Sequence, residues 1–373
     1  MNRAVCETPL FTEPLHVGKP FVLRKDVALK RISEALDRSW LTNDGPFVKE
    51  FEQKIVEITG KSACVAVNNA TAGLELCLRA LGIKGEVCVP SFTFVASAHS
   101  CLAAGLTPRF GDIDAQTHLL AENCVQPEDS AVLTVDLWGQ PATPETLGKP
   151  VICDAAHAMG CSKRKPVALA DVYSFHATKC VNSAEGGAIV TDDLAFASEL
   201  RSMRNFGFSG LDQVSGWGTN AKMNELNAAL GLTNLEDLPE IQAKQKQNRA
   251  DYRKAFAASE FFAWMDFTNE HDSNHQYAVV RLKPDFVWMR DEVVNQLWAN
   301  NVRARRYFFP GCHRMKPYDQ MKHGKLKNTE FESARTLVLP NGPDVTSQIC
   351  VQIASLMEEI AHELQRNPYE VAA

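Results

Sequence analysis

The chain has 373 residues, 45% hydrophobic and 23% charged, the composition of a globular protein long enough for one large α/β domain and a smaller one. Its net charge of −6 argues against nucleic acid or an anionic membrane as the main partner, although a local basic pocket remains compatible with it. No apolar run nears the roughly 20 residues of a membrane span, and the opening MNRAVCETPLF lacks the apolar core of a secretion signal.

In chain order, Phe47, Phe51, Ile55 and Ile58 form an apolar stripe that predicts a helix. A strand is expected at Ala63–Val67, then a helix from near Thr71 carrying Leu74, Cys77, Leu78 and Leu81. Further strands are expected at Glu86–Pro90, Thr107–Phe110, Ala131–Leu137, Pro150–Asp154, Asp171–His176 and Gly187–Thr191. Strands alternating with helices predict an α/β fold, a mostly parallel sheet covered on both faces. After Asn220 the strand signal fades, and residues 222–258 read as two helices, the second polar enough to connect domains. Strands at Tyr277–Arg281 and Arg303–Phe308, with helices at 290–300 and 346–366, predict a small α+β domain. The expected division is a large domain at 20–245 and a small one at 246–373, with residues 1–19 packing nearby.

The eleven cysteines are odd in number, and Cys64, Cys77, Cys88 and Cys153 lie inside apolar patterns, as small hydrophobes do in a reducing compartment. Cys153, His157 and Cys161 lack the second short-spaced pair of a zinc site. A cytoplasmic protein without a metal is expected.

The chemistry concentrates in DVYSFHATKCVNSAEGG (171–187), where an apparent strand delivers a lone lysine, Lys179, before the pair Gly186-Gly187. Such an amine either snorkels out of the sheet edge or loses its proton to burial and becomes able to form a Schiff base. In PVICDAAHA, Asp154 closes an apolar strand. There it either caps the next segment or awaits a positive partner such as a pyridinium nitrogen. His157 follows it by three residues. In VNNATAGLELCLRAL a helix N-terminus after a strand offers amides to a phosphate, or is simply an ordinary capped turn. In PSFTFVASAH, either Phe92 or Phe94 could cover a flat ring, and either could be plain core.

Taken together, these segments resemble the nucleotide-sugar aminotransferases of the DegT/StrS family, which bind pyridoxal 5'-phosphate in an aspartate-aminotransferase-like fold (fold type I). The resemblance runs through TNDGPFVKEFE (42–52), NNATAGL, VPSFTFVASAH, LWGQP, DAAHAMG, SFHATK, EGGAIVTDD, NFGF, GTNAKMNE and YFFPGCHRMKPY (307–318). It implies a seven-stranded sheet and a Schiff base at Lys179. Asp154 would hold the pyridine nitrogen, His157 would stand beside the ring hydroxyl, and Phe94 would stack on the ring. Thr71, Ala72 and Ser174 would hold the phosphate, joined by Asn220 from the other subunit of a homodimer. His313 and Tyr318 are sugar contacts by resemblance only. Arg305 and Arg306, with Arg303, could serve a nucleotide diphosphate or be an ordinary solvated basic strand. The implied reaction passes an amino group from L-glutamate to C-4 of a dTDP- or UDP-linked 4-keto-6-deoxyhexose. Amination at C-3 and sugar dehydration are the alternatives, although the family's lyases carry histidine where Lys179 stands.

The segments Leu120–Ser130 and Pro141–Gly148 are shorter than in relatives and should thin the sheet's cover. Asp136 stands where many relatives have histidine. A nicotinamide-dependent oxidoreductase is disfavoured because NNATAG, rather than G-x-G-x-x-G, follows the first strand.

Overall fold

A computed structural model describes residues 8–161, 168–267 and 273–367; residues 1–7 of the N-terminal segment and 368–373 of the expected small domain lie outside them. The first part of the chain runs β1 (Leu15–His16), α1 (Lys25–Asp37), α2 (Pro46–Thr59), β2 (Ala63–Val67), α3 (Ala70–Ala80), β3 (Glu86–Pro90), α4 (Val95–Ala103) and β4 (Thr107–Gly111). It continues with β5 (Ala131–Val135), β6 (Val151–Asp154), β7 (Ala170–Ser174), β8 (Gly187–Thr191), α5 (Leu194–Met203), α6 (Glu225–Glu236) and α7 (Leu238–Ala255). The remainder is β9 (Phe262–Trp264), β10 (Ala278–Leu282), α8 (Arg290–Ala299), β11 (Val302–Arg303), α9 (Lys327–Arg335), β12 (Thr336–Leu339) and α10 (Ser347–Arg366).

The central sheet has seven strands in the order β2-β8-β7-β6-β5-β3-β4, and β8 alone runs against the rest. Every residue of β2, β5 and β8 is buried, so these strands read as unbroken apolar runs rather than alternating ones. The two faces still separate cleanly. Val65 and Val67 of β2 pack with Leu74 of α3 and Leu200 of α5, whereas Cys64 and Ala66 pack with Phe51 of α2 and Leu232 of α6. This is the expected α/β architecture with helices on both faces.

A buried carboxylate fastens the second face. Glu225, at the start of α6, accepts from the first-turn amides of α2, Phe47 N at 2.9 Å and Val48 N at 2.8 Å. Those amides have no partner within their own helix. A Cβ on Gly45 would lie 2.4 Å from Glu225 Cδ. TNDGPF (42–47) therefore works here as a joint between helices.

Near β3–β6 part of the sheet's cover is made by loops rather than by a helix. The segments between β4 and β5 and between β5 and β6 contain no α-helix, and a small cluster of Cys88, Leu120, Val125, Val132 and Val151 covers the strands. Beneath it the guanidinium of Arg109 bonds Asp129 (Nε to Oδ1, 2.6 Å), both buried.

The three-stranded sheet β12-β10-β9 is antiparallel and has its own core with Tyr252, Leu297, Ile353 and Met357. α7 bridges the two cores: Leu238 and Ile241 belong to the first, Tyr252 to the second. β1 pairs in parallel with β11 in a separate two-stranded sheet, and Leu15 joins the smaller core, which ties the N-terminal segment to it.

Three expected strands need correcting. The strand expected at Ala131–Leu137 stops at Val135, because Trp138 takes a positive φ of 59° in a tight turn over Leu137–Gly139. Asp171–His176 is strand only from Ala170 to Ser174. Arg303–Phe308 is strand only at Val302–Arg303: Arg305 and Arg306 are both exposed, which breaks the alternation a half-buried strand requires. The helix expected from near Thr71 is present, beginning at Ala70, and its cap is Asn69, whose Oδ1 accepts from Ala72 N at 2.9 Å.

Among the described residues no helix is long and apolar enough to cross a membrane.

Candidate active site

The strands that share a direction bring their carboxyl ends to one edge of the sheet, where open α/β sheets bind ligands. Val67, Pro90, Val135, Asp154 and Ser174 end there, and the reversed β8 starts there at Gly187. A Cβ on Gly187 would lie 2.6 Å from Asn69 C and 2.7 Å from Ala70 N. Only glycine lets the N-terminus of α3 come this close to the strand. Thr71, Ala72 and Ser174 are thereby brought to the same edge.

At the end of β6, Asp154 is buried, accepting from Ser97 Oγ at 2.7 Å (Oδ2) and from Ala156 N at 3.1 Å (Oδ1). Burial pushes its carboxyl above the usual range, while these two donors and the nearby Lys179 pull it back. Ser97 lies on α4 and is steadied by Thr93 Oγ1 at 3.0 Å. Sequence reading passed over Ser97, although it lies inside the quoted segment PSFTFVASAH.

Lys179 follows β7 in a turn rather than at a strand end. Its Nζ lies 3.4 Å from the Tyr277 hydroxyl. Burial lowers its amine from 10.5 to about 8, opposed by the Asp154 carboxylate. An amine so tuned is neutral far more often than an exposed lysine.

His157 lies in a turn, not on a helix, with its ring 4.3 Å from that of Tyr277 and stacked against Trp138 at 5.9 Å. Burial holds its imidazole well below the usual range, so it is neutral. Its buried Nδ1 has no hydrogen-bond partner among the described residues. A buried ring nitrogen left unpaired is costly, so the site suits a ligand that brings a polar group to it.

Phe92 and Phe94 part company. Phe92 is core, edge-on to His118, Trp138 and Phe308. Phe94, just before α4, is 59% exposed and free to cover a ring.

Asn220 is also exposed, on a loop bridged to Asn205.

The expected sugar and nucleotide contacts fare unevenly. His313 is buried, with Nδ1 2.7 Å from Ser91 Oγ and Nε2 3.4 Å from Glu330. Tyr318 is buried, with its hydroxyl 2.7 Å from His99 Nδ1. Their polar atoms help hold the 307–318 segment against Ser91, just after β3, and against α4. Arg306 bonds Asp291 at 2.6 Å. Arg305 is exposed, with its guanidinium over the Tyr307 ring.

Sequence reading missed the segment 273–276, whose residues are all buried. Asn274 Nδ2 donates to His157 O (2.9 Å) and Met159 O (3.0 Å), and Gln276 Nε2 to Thr178 O (3.3 Å). Each is a bond to a backbone carbonyl about 100 residues distant, which no local pattern reveals.

A protein-family model for the DegT/DnrJ/EryC1/StrS aminotransferases matches residues 24–358. The chain belongs to this family. As an aminotransferase it is 31% identical over 366 residues to the dTDP-4-amino-4,6-dideoxy-D-glucose transaminase of Shigella dysenteriae, covering 93% of this chain and 99% of that one. It is similar to the crystal structure of DesI in the presence of its TDP-sugar product: TM-score 0.93 and 38% identity, over 98% of this chain and 97% of that one. Helicobacter pylori PseC, an aminotransferase involved in the biosynthesis of pseudoaminic acid, shares the fold: TM-score 0.86 and 23% identity, over 94% of this chain and all of PseC. The aminotransferase therefore has the fold type I architecture expected from its sequence.

Proposed function

We propose that this aminotransferase uses pyridoxal 5'-phosphate to move an amino group from L-glutamate to the C-4 ketone of a dTDP-linked 4-keto-6-deoxyhexose, giving a 4-amino-4,6-dideoxy sugar. The observation that carries the cofactor is the meeting of a buried carboxylate, a lowered amine and an unpaired imidazole nitrogen at one sheet edge. The substrate rests on likeness to the Shigella transaminase and to DesI.

Pyridoxal phosphate, when bound, supplies a carbonyl for the amine and a conjugated ring that holds negative charge. Asp154 would hold the proton on the pyridine nitrogen. His157 would meet the ring hydroxyl, and Phe94 would cover a ring face. Thr71, Ala72 and Ser174 would receive the phosphate at the N-terminus of α3. Lys179 Nζ would take a proton from the substrate carbon and return it to the cofactor side. Arg305, with the exposed Arg306 beside it, would supply positive charge for the diphosphate. Asn220 would complete the site of a second copy in a homodimer, and the exposed apolar side chains on its loop, Leu211 98% exposed among them, support such a copy covering it. The ten described cysteines are free thiols, which suits the cytoplasm.

The test is the first half of the reaction. Protein loaded with pyridoxal phosphate should lose its yellow absorbance on adding L-glutamate and release 2-oxoglutarate, one per site. Lys179→Ala should do neither. Loss of colour without 2-oxoglutarate, or no change in the wild type, overturns the reading.

A further inference from the structure

We propose that Tyr277 is the positioning residue for Lys179: its hydroxyl holds the amine in the site whenever that amine is not bonded to the cofactor. This rests on the aminotransferase reading and extends it to a residue from outside the seven-stranded sheet.

The geometry has three parts. The Tyr277 hydroxyl is 3.4 Å from Lys179 Nζ. Its ring is buried, 4.3 Å from that of His157 and 5.3 Å from that of Trp138, so it has little freedom to turn. Its backbone is tied on both sides. The Tyr277 carbonyl accepts from Arg249 Nη1, Asn341 Nδ2 donates to His275 O at 2.7 Å, and Gln276 Nε2 reaches Thr178 O, next to Lys179. A side chain held this firmly can orient a flexible one.

The need for such a partner follows from the lysine itself. Its four-carbon stem has many rotamers, and a freed amine would sample them at the expense of the productive one. Asp154, Cys180 and His157 are the other titratable groups facing it. Asp154 favours the ammonium, neutral His157 carries no charge, and the thiol of Cys180 is held protonated by burial. Burial raises the Tyr277 phenol as well, so it stays a hydroxyl. A hydroxyl accepts from the ammonium and donates to the neutral amine, and so can hold Lys179 in both states.

The experiment compares wild type, Tyr277→Phe and Tyr277→Leu, each loaded with pyridoxal phosphate. Phenylalanine keeps the ring against His157 and Trp138 and removes only the hydroxyl. Borohydride reduction followed by peptide mass should still find the cofactor on Lys179 in Tyr277→Phe, with an unchanged melting temperature. Its single-turnover rate with L-glutamate should fall roughly tenfold or more at saturation, the worth of one hydrogen bond to a charged group, while half-saturation stays put. A rate within about twofold of wild type in Tyr277→Phe overturns the proposal, and with Tyr277→Leu impaired the role would be packing alone. Failure of the wild type to react with glutamate would instead overturn the parent reading.

Discussion

Lys179 should capture pyridoxal phosphate at a pH where an ordinary lysine barely reacts. Only the neutral amine attacks the aldehyde. Burial brings the amine from 10.5 to about 8. At pH 7.5 that leaves roughly a quarter of molecules neutral, against about one in a thousand for an unshifted lysine, a gain of about 3 kcal/mol at 1.36 per unit. Cofactor-free protein mixed with pyridoxal phosphate across pH 6 to 10 should therefore gain its yellow absorbance at a rate that rises through a midpoint near 8 and then levels. Asp154→Asn removes a carboxylate that favours the ammonium, so its midpoint should move down. A wild-type midpoint near 10, or an upward move in Asp154→Asn, refutes the reasoning.

Glu225→Gln replaces a carboxylate that accepts from two helix amides with a group that can accept from one and sets its own donors against the other. A loss of about 2–4 kcal/mol is expected in urea unfolding; a change under about 0.5 kcal/mol would contradict the joint assigned to Gly45 and Glu225. Asp129→Ala leaves the buried Arg109 without its carboxylate and should cost about 3–5 kcal/mol, largely recovered when Arg109→Met is added. Lys179→Ala and Asn220→Ala protomers, each nearly inactive, should regain activity when subunits exchange, because one site of the mixed dimer carries both native residues. Verified exchange without recovery would remove Asn220 from a shared site.

Much of the large sheet was legible in the sequence for a physical reason. Ala63–Val67, Glu86–Pro90 and Gly187–Thr191 match the structure residue for residue, because strands covered on both faces are short apolar runs with sharp ends. β9 and β12, three and four residues long, carry too little pattern to detect. Asp154, Lys179 and His157 were visible as polar groups where apolar runs stop. Ser97 and Tyr277 were not, since their roles depend on partners 57 and 98 positions away. The packing of His313 and Tyr318 was equally hidden, because their partners Ser91 and His99 lie 222 and 219 positions away.

The most direct test of the account is the structure of the sugar it makes. The aminotransferase, loaded with pyridoxal phosphate and given L-glutamate and dTDP-4-keto-6-deoxyglucose, should yield a product whose proton NMR spectrum places the amine-bearing carbon at C-4. An amine at C-3, or no conversion of this sugar while a 3-keto sugar reacts, would contradict the proposed substrate and leave the aminotransferase assignment in place.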